Sequence, residues 1–211
     1  MVIRTDAPVS LQAGDHLTRE EFHRRYCARS DIKKAELIQG VVFVPSPVWA
    51  DLHGEPHEAA IGWLYAYRAR NHAVRLLDNA TVYLDADGIR DELQPDACLW
   101  LNEPGGPRLT ARHFLEGAPQ LVVEIAASSA SYDLHEKKEA YRRNGVGEYI
   151  VWRVLDGAID WFELRDGTYI LREPDPAGII ESVRFPGLRL HVPSMLADDV
   201  DGVLAAVSSP A

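Results

Sequence analysis

The chain has little positive charge to spare. Its 22 Lys and Arg face 32 Asp and Glu, for a formal net charge of -10. That balance argues against a broad phosphate-binding surface, because sequence-independent affinity for nucleic acid scales with Lys and Arg contacts. It leaves a nuclease open, since an acidic metal site adds negative charge of its own. Long apolar runs are absent too: no stretch approaches the ~20 residues of a membrane-spanning helix. The first residues, MVIRTDAPVSLQAGDH, lack the apolar core of a secretory signal. Only two cysteines occur, Cys27 and Cys98. They are too few for a disulfide framework, which leaves a reducing cytoplasm as the expected setting and one bridge between them open. There is no GxGxxG, no GxxxxGK[ST] and no GxSxG, so nucleotide-binding and hydrolase-elbow readings lack support.

What is present suits one globular domain. Of 211 residues, 46% are hydrophobic, enough for a sizeable core. The expected organisation is an arm over 1–16, one domain over 17–207 and a tail over 208–211. Thr18 and Glu21 form a capping box that opens a helix to about Ala28, with Phe22 and Tyr26 on one face. Two β-prone runs flank Gln39-Gly40 and predict a hairpin closed by Pro45-Ser46-Pro47. A well-buried helix is expected over 57–71, with Pro56 in its first turn. Short strands follow at Ala73–Leu77 and Thr81–Leu84, then a polar turn over Asp85–Asp91, then a strand from Pro95 to Leu101 and a loop over Pro104–Pro107. Leu121-Val122-Val123 is a buried strand that runs into Glu124. A helix carrying Asp133, Lys137 and Tyr141 comes next, ended by Gly145 and Gly147. Strands at Ile150–Leu155, Ile159–Leu164 and Tyr169–Leu171 alternate with Asp-Gly turns. Segments near Ile179–Val183 and Leu188–His191 would finish the sheet, before a helix over Pro193–Val207. The fold class this implies is α+β, with a mixed sheet.

The chemistry concentrates on Asp96, Glu124 and Lys137. Both acids interrupt strongly apolar strands, and burying an acid without a partner is costly. Two carboxylates on adjacent strands can hold a hard divalent cation such as Mg²⁺ or Mn²⁺ through oxygen. A neighbouring lysine can stabilise charge on a phosphate or orient water. The plain alternatives are solvated strand-edge acids and, for Lys137, an i,i+4 ion pair with Asp133. Lys138 competes with Lys137 but points about 100° away around the helix.

Pro95-Asp96, then Leu121-Val122-Val123-Glu124-Ile125-Ala126, then Asp133, Lys137 and Tyr141, then Gly145-Val146 and Glu148-Tyr149, together resemble the Uma2 family of the PD-(D/E)XK restriction-endonuclease-like superfamily. Glu36-Leu37-Ile38-Gln39-Gly40 is similar to that family's early hairpin, and Phe185-Pro186-Gly187-Leu188 to its closing segment. The resemblance spans about Thr18 to Val192. It implies a restriction-endonuclease-like mixed β-sheet flanked by helices, with an N-terminal helix and hairpin. It also implies Mg²⁺-dependent hydrolysis of DNA phosphodiesters, with Asp96 and Glu124 as the metal-binding acids. The lysine of E-x-K would fall at position 126, where this chain has Ala126; Lys137, on the following helix, sits where the family supplies it.

Glu36 is an additional candidate for the metal shell; its plain alternative is a cross-strand pair with Lys33 or Lys34. Tyr141 would face the phosphate or support the acids. His53 and His57 have a four-residue spacing, but Gly54 and Pro56 between them and the want of a third ligand speak against zinc; His53 stays as a candidate for phosphate or water contact. Arg68, Arg70 and Arg75, and Lys137, Lys138, Arg142 and Arg143, read mostly as solvated helix faces. Of Ser128, Ser129 and Ser131, one should cap the helix. Cutting both strands of a duplex would need two sites, hence an expected homodimer. Two rivals remain: a nuclease-fold binding or regulatory module without catalysis, and a metal-independent carboxylate-pair hydrolase of glycosidase type.

Overall fold

Alternation along the central strands explains the architecture seen in the computed structural model, which describes residues 10–45 and 49–207. The expected arm and tail lie partly (1–9) and wholly (208–211) outside those residues, as do Ser46 and Pro47. The strand Leu121–Ala126 (β9 in chain order) is buried at every position. Leu121, Val123 and Ile125 face one core cluster, while Val122 and Ala126 face another. A strand covered on both sides reads as a continuous apolar run, so the one polar residue on it, Glu124, is forced into the interior.

In chain order the preceding elements are α1 (Arg19–Cys27), β1 (Glu36–Ile38), β2 (Val41–Phe43), α2 (Glu55–Arg68), β3 (Val74–Asp78), β4 (Val82–Ala86), β5 (Ile89–Leu93), β6 (Ala97–Leu101), β7 (Arg108–Leu109) and β8 (Leu115–Glu116). After β9 come α3 (Ala130–Tyr132), a π-helical turn over Asp133–Lys137, and α4 (Lys138–Arg143). The chain closes with β10 (Glu148–Arg153), β11 (Ala158–Arg165), β12 (Thr168–Arg172), β13 (Ile179–Glu181), β14 (Arg189–His191), α5 (Val192–Leu196) and α6 (Val200–Ala206).

These strands make two six-stranded sheets, ordered β2-β1-β5-β4-β8-β7 and β12-β11-β10-β9-β6-β3, and a β13-β14 ribbon. Both large sheets mix parallel and antiparallel pairs. In the second, β9 and β10 are parallel, joined by the helical segment between them, and β6 runs antiparallel to β9. One face of this second sheet is covered by Trp63, Leu64 and Tyr67 of α2 and by residues of the closing ribbon and helices. Its other face packs against Ile38, Val82, Leu84 and Leu93 of the first sheet and Ala140 and Tyr141 of α4. Glu124 therefore sits between the two sheets.

The Gln39-Gly40 turn is as expected. Both residues have positive φ, 52° and 78°, the pairing that matches the twist of a two-residue hairpin. Gly145, at φ 79°, follows the end of α4 in the left-handed conformation that helix termini favour. The Thr18 hydroxyl accepts from the Glu21 N–H, as the capping box requires.

Several expectations are overturned. The polar turn over Asp85–Asp91 is instead a hairpin in which only Asp87-Gly88 turns, and Ile89–Leu93 is a full strand. Its polar residues misled because their partners are remote. Asp91 is wholly buried against Arg143 and accepts from the Gln39 N–H at 2.8 Å, and Glu92 meets His23 at 3.1 Å. The 179–191 segments form a ribbon of their own rather than finishing the central mixed sheet, and the earlier strands add a second mixed sheet to it. The closing helix is two, broken at Asp198 (φ 55°), with Asp199 capping the second. Arg143 and Lys137 are buried in ion pairs, so of the second basic group only Lys138 and Arg142 stay partly solvated.

Asp91 fastens the early hairpin to α4 and so fixes the spacing between the two sides of the interior. Removing one partner of a buried pair typically costs about 3–5 kcal/mol. We expect Asp91→Ala to lower the free energy of unfolding in urea by an amount in that range, with an earlier midpoint, and an unchanged midpoint would contradict the role given to this contact.

Candidate active site

Four elements converge between the sheets. Glu36 comes from β1, Asp96 from the residue before β6, Glu124 from the middle of β9, and Asp133 and Lys137 from the π-helical turn. All five are buried. The register puts Ala97 opposite Val123, so Asp96 lies beside Glu124 on the neighbouring strand.

Lys137 is the hub. Its Nζ lies 2.9 Å from Glu124 Oε2, 3.2 Å from Glu36 Oε1 and 3.5 Å from Asp133 Oδ1. The other Glu124 oxygen accepts from the Tyr141 hydroxyl at 2.8 Å. Glu36 Oε1 also accepts from the Gln94 N–H at 2.8 Å. The Ser129 hydroxyl donates to Asp133 Oδ2 at 2.6 Å, so that serine stands at the helix start but spends its hydroxyl on an acid rather than on a backbone cap.

Asp96 has a separate set of partners. Oδ2 accepts from the Ile125 N–H at 2.8 Å and faces His53 Nε2 at 3.3 Å. Oδ1 faces Lys34 Nζ at 2.9 Å. His57 is turned to Asp78, at 3.1 Å, and to the Asp96 carbonyl. The two histidines are thus not joint ligands: only His53 reaches the acid's side chain, and a π-helical turn over Ala50–Gly54 carries it there ahead of α2. Lys138 extends over the Phe162 ring, away from the acids.

Electrostatics divides the acids. Burial works against an ionised Asp96, but the His53 hydrogen bond and the Lys34 and Lys137 ammoniums outweigh it and hold the carboxyl far below the usual range. Burial raises Glu124 to about 8; Lys137 pulls it down, and the Asp96 and Asp133 carboxylates push it up. Asp133 is raised by burial as well, against Lys137. Lys137 itself is held charged, because the four surrounding carboxylates more than offset its desolvation.

Sequence reasoning placed Asp96, Glu124, Lys137, Glu36, Tyr141 and His53 in one neighbourhood, and the structure brings them together. It missed Lys34 as the partner of Asp96, having considered it only as a partner for Glu36, and it treated Asp133 as the alternative to a site role for Lys137. Lys137 contacts Asp133 and Glu124 at once.

The donor set suits a hard cation: carboxylate oxygens from adjacent strands, with Glu36 close by. Among the described residues no group of three His, Cys, Asp or Glu side chains is gathered to hold a metal ion. Two carboxylates are nonetheless what Mg²⁺ commonly takes from a protein, with waters completing its shell. One more feature fits a polar occupant. The Tyr132 hydroxyl is shut off from solvent and has no hydrogen-bond partner among the described residues, while its ring lies tilted against Phe43 of the hairpin, centroids 4.1 Å apart. A buried polar atom without a partner commonly marks a water or ligand position.

The family model described as "Uma2: Putative restriction endonuclease" matches residues 19–193. The chain belongs to the Uma2 family. A solved structure from Anabaena variabilis ATCC 29413, titled a putative nuclease belonging to DUF820, superposes with a TM-score of 0.56 at 12% identity, covering 77% of this chain and 89% of that one. This likeness carries the fold, consistent with a restriction-endonuclease-like α+β architecture. Among curated proteins none matches the chain. No helix among the described residues is long and apolar enough to cross a membrane.

Two expectations follow for this Uma2 protein. Lys137→Met leaves three buried carboxylates without their shared cation, and should cost about 3–5 kcal/mol in urea unfolding. The second concerns pH. A raised carboxyl keeps, between about pH 4.5 and 8, a proton that the unfolded chain releases, so its contribution to stability is full below 4.5 and lost as pH rises through 8. Glu124→Gln should therefore flatten the fall of Tm across that window relative to wild type, and an unaltered profile would refute the assignment.

Proposed function

We propose that this Uma2 protein is a metal-dependent nuclease that hydrolyses DNA phosphodiester bonds. The observation that carries the reading is the placement of Asp96 and Glu124 on adjacent strands with Lys137 2.9 Å from Glu124. Asp96 and Glu124 would hold Mg²⁺ or Mn²⁺, with Glu36 beside them. A divalent cation bound there supplies Lewis acidity toward the phosphate and a lowered pKa for water. The protein's own side chains set the stage. The Ile125 N–H and His53 fix the orientation of Asp96, and the Tyr141 hydroxyl and Lys137 fix that of Glu124. Lys137 also keeps positive charge within the carboxylate group, where it can stabilise charge developing on the phosphate or position the attacking water. Cleavage of both strands would call for two copies acting together, as in a homodimer.

A second reading is favoured by one observation. Each acid at the site already has a cationic partner, as a nuclease fold kept for binding alone would show. Supercoiled plasmid incubated with the purified chain separates the possibilities. Nicking or linearisation in Mg²⁺ or Mn²⁺, abolished by EDTA and reduced at least ~100-fold in Asp96→Asn and Glu124→Gln, is the expected result. Binding without cutting at any metal concentration would favour the silent module. Hydrolysis that persists in excess EDTA would favour the carboxylate-pair hydrolase.

A further inference from the structure

The interior carries two lysines in different situations. Lys137 is 4% exposed and shared among three acids, whereas Lys34 is 24% exposed and its ammonium meets Asp96 Oδ1. The anchoring of Asp96 does not depend on Lys34. Its Oδ2 is fixed by the Ile125 N–H and His53, so Oδ1 can change partner while the carboxylate stays in place. Charge balance leaves room for a cation. With Glu36, Asp96, Glu124 and Asp133 set against Lys34 and Lys137, two negative charges are left uncompensated when all are ionised. A divalent cation would neutralise them, and at Asp96 Oδ1 it would repel the Lys34 ammonium that now occupies that oxygen.

We propose that Lys34 is a displaceable counter-ion of Asp96, holding the oxygen a divalent cation takes and, once exchanged for the cation, turning to a phosphate of the bound nucleic acid. Lys34 precedes β1 in a stretch outside helix and strand, and its long side chain lies at the outer side of the cluster, so it can pivot without disturbing a packed element. Ala126, wholly buried on β9, leaves no lysine on the strand to do this. Lys137 cannot substitute, because moving it would strip the cation from three buried carboxylates at once. The inference rests on the metal-dependent nuclease reading.

The test measures Mn²⁺ binding to the full chain by electron paramagnetic resonance, and affinity for a short duplex in Ca²⁺ across a salt series. Wild type is compared with Lys34→Met, Lys34→Arg and Asp96→Asn, each checked for an unchanged Tm in the absence of metal or corrected for it. Removing a unit positive charge from the cation's own ligand should tighten Mn²⁺ binding of Lys34→Met by roughly tenfold or more. The same variant should bind the duplex more weakly, with the salt slope reduced by about one. Lys34→Arg should restore duplex affinity. Mn²⁺ affinity unchanged or weakened in Lys34→Met, with wild type binding Mn²⁺ through Asp96, overturns the exchange while leaving the nuclease reading intact. A duplex affinity and salt slope indifferent to Lys34→Met overturn the phosphate contact. No Mn²⁺ binding by any variant, or binding equally strong in Asp96→Asn, overturns the exchange together with the metal reading on which it rests.

Discussion

The ammonium of Lys137 among Glu36, Glu124 and Asp133 is the contact on which the interior depends. Without it, acids from β1, β9 and the π-helical turn would meet in a water-poor space between two sheets, at a cost no apolar packing around them could offset. With it, the three elements are tied to one point. The hydrogen bonds of Tyr141, Gln94 and Ser129 then use the remaining lone pairs of the same carboxylates. The π-helical turn matters here because it carries Asp133 and Lys137 inward together.

Around this point the molecule is organised as a vise. The second sheet supplies Glu124 and Asp96, and the first supplies Glu36. The hairpin bearing Glu36 is in turn fastened to α4 by Asp91 through Arg143 and the Gln39 N–H. Both buried ion networks run between the hairpin and the helix that follows β9. A shift in one would therefore be felt by the other, and the distance between Glu36 and Lys137 is set from two sides. Asp96 stands slightly apart, held by its own cation and histidine at the more open side of the cluster. That division gives the site one half centred on Lys137 and a more open half at Asp96.

Much of this was legible in the sequence. An acid in the middle of Leu121–Ala126 had to be buried and therefore had to be partnered, and a four-residue spacing brought Asp133, Lys137 and Tyr141 to one side of the following segment. The hairpin at Gln39-Gly40 could be read from turn chemistry alone. Less legible was β5: Asp91 and Glu92 look like turn residues until Arg143 and His23, far away in sequence, are brought to them. The division of the strands into two sheets was hidden for the same reason, since alternation shows that a strand is buried but not which sheet it joins.

The sequence by itself determined which residues must be buried and which acids would need partners, because those follow from local pattern and the cost of desolvation. Only the tertiary structure decided the pairing. Lys34 could have met Glu36, its neighbour in sequence, yet lies against Asp96; Lys137 could have stopped at Asp133 and reaches Glu124 as well. Ion-pair partners are set by where the backbone places charged ends in three dimensions, and separations of 62 residues for Lys34 and Asp96 leave no trace in local spacing.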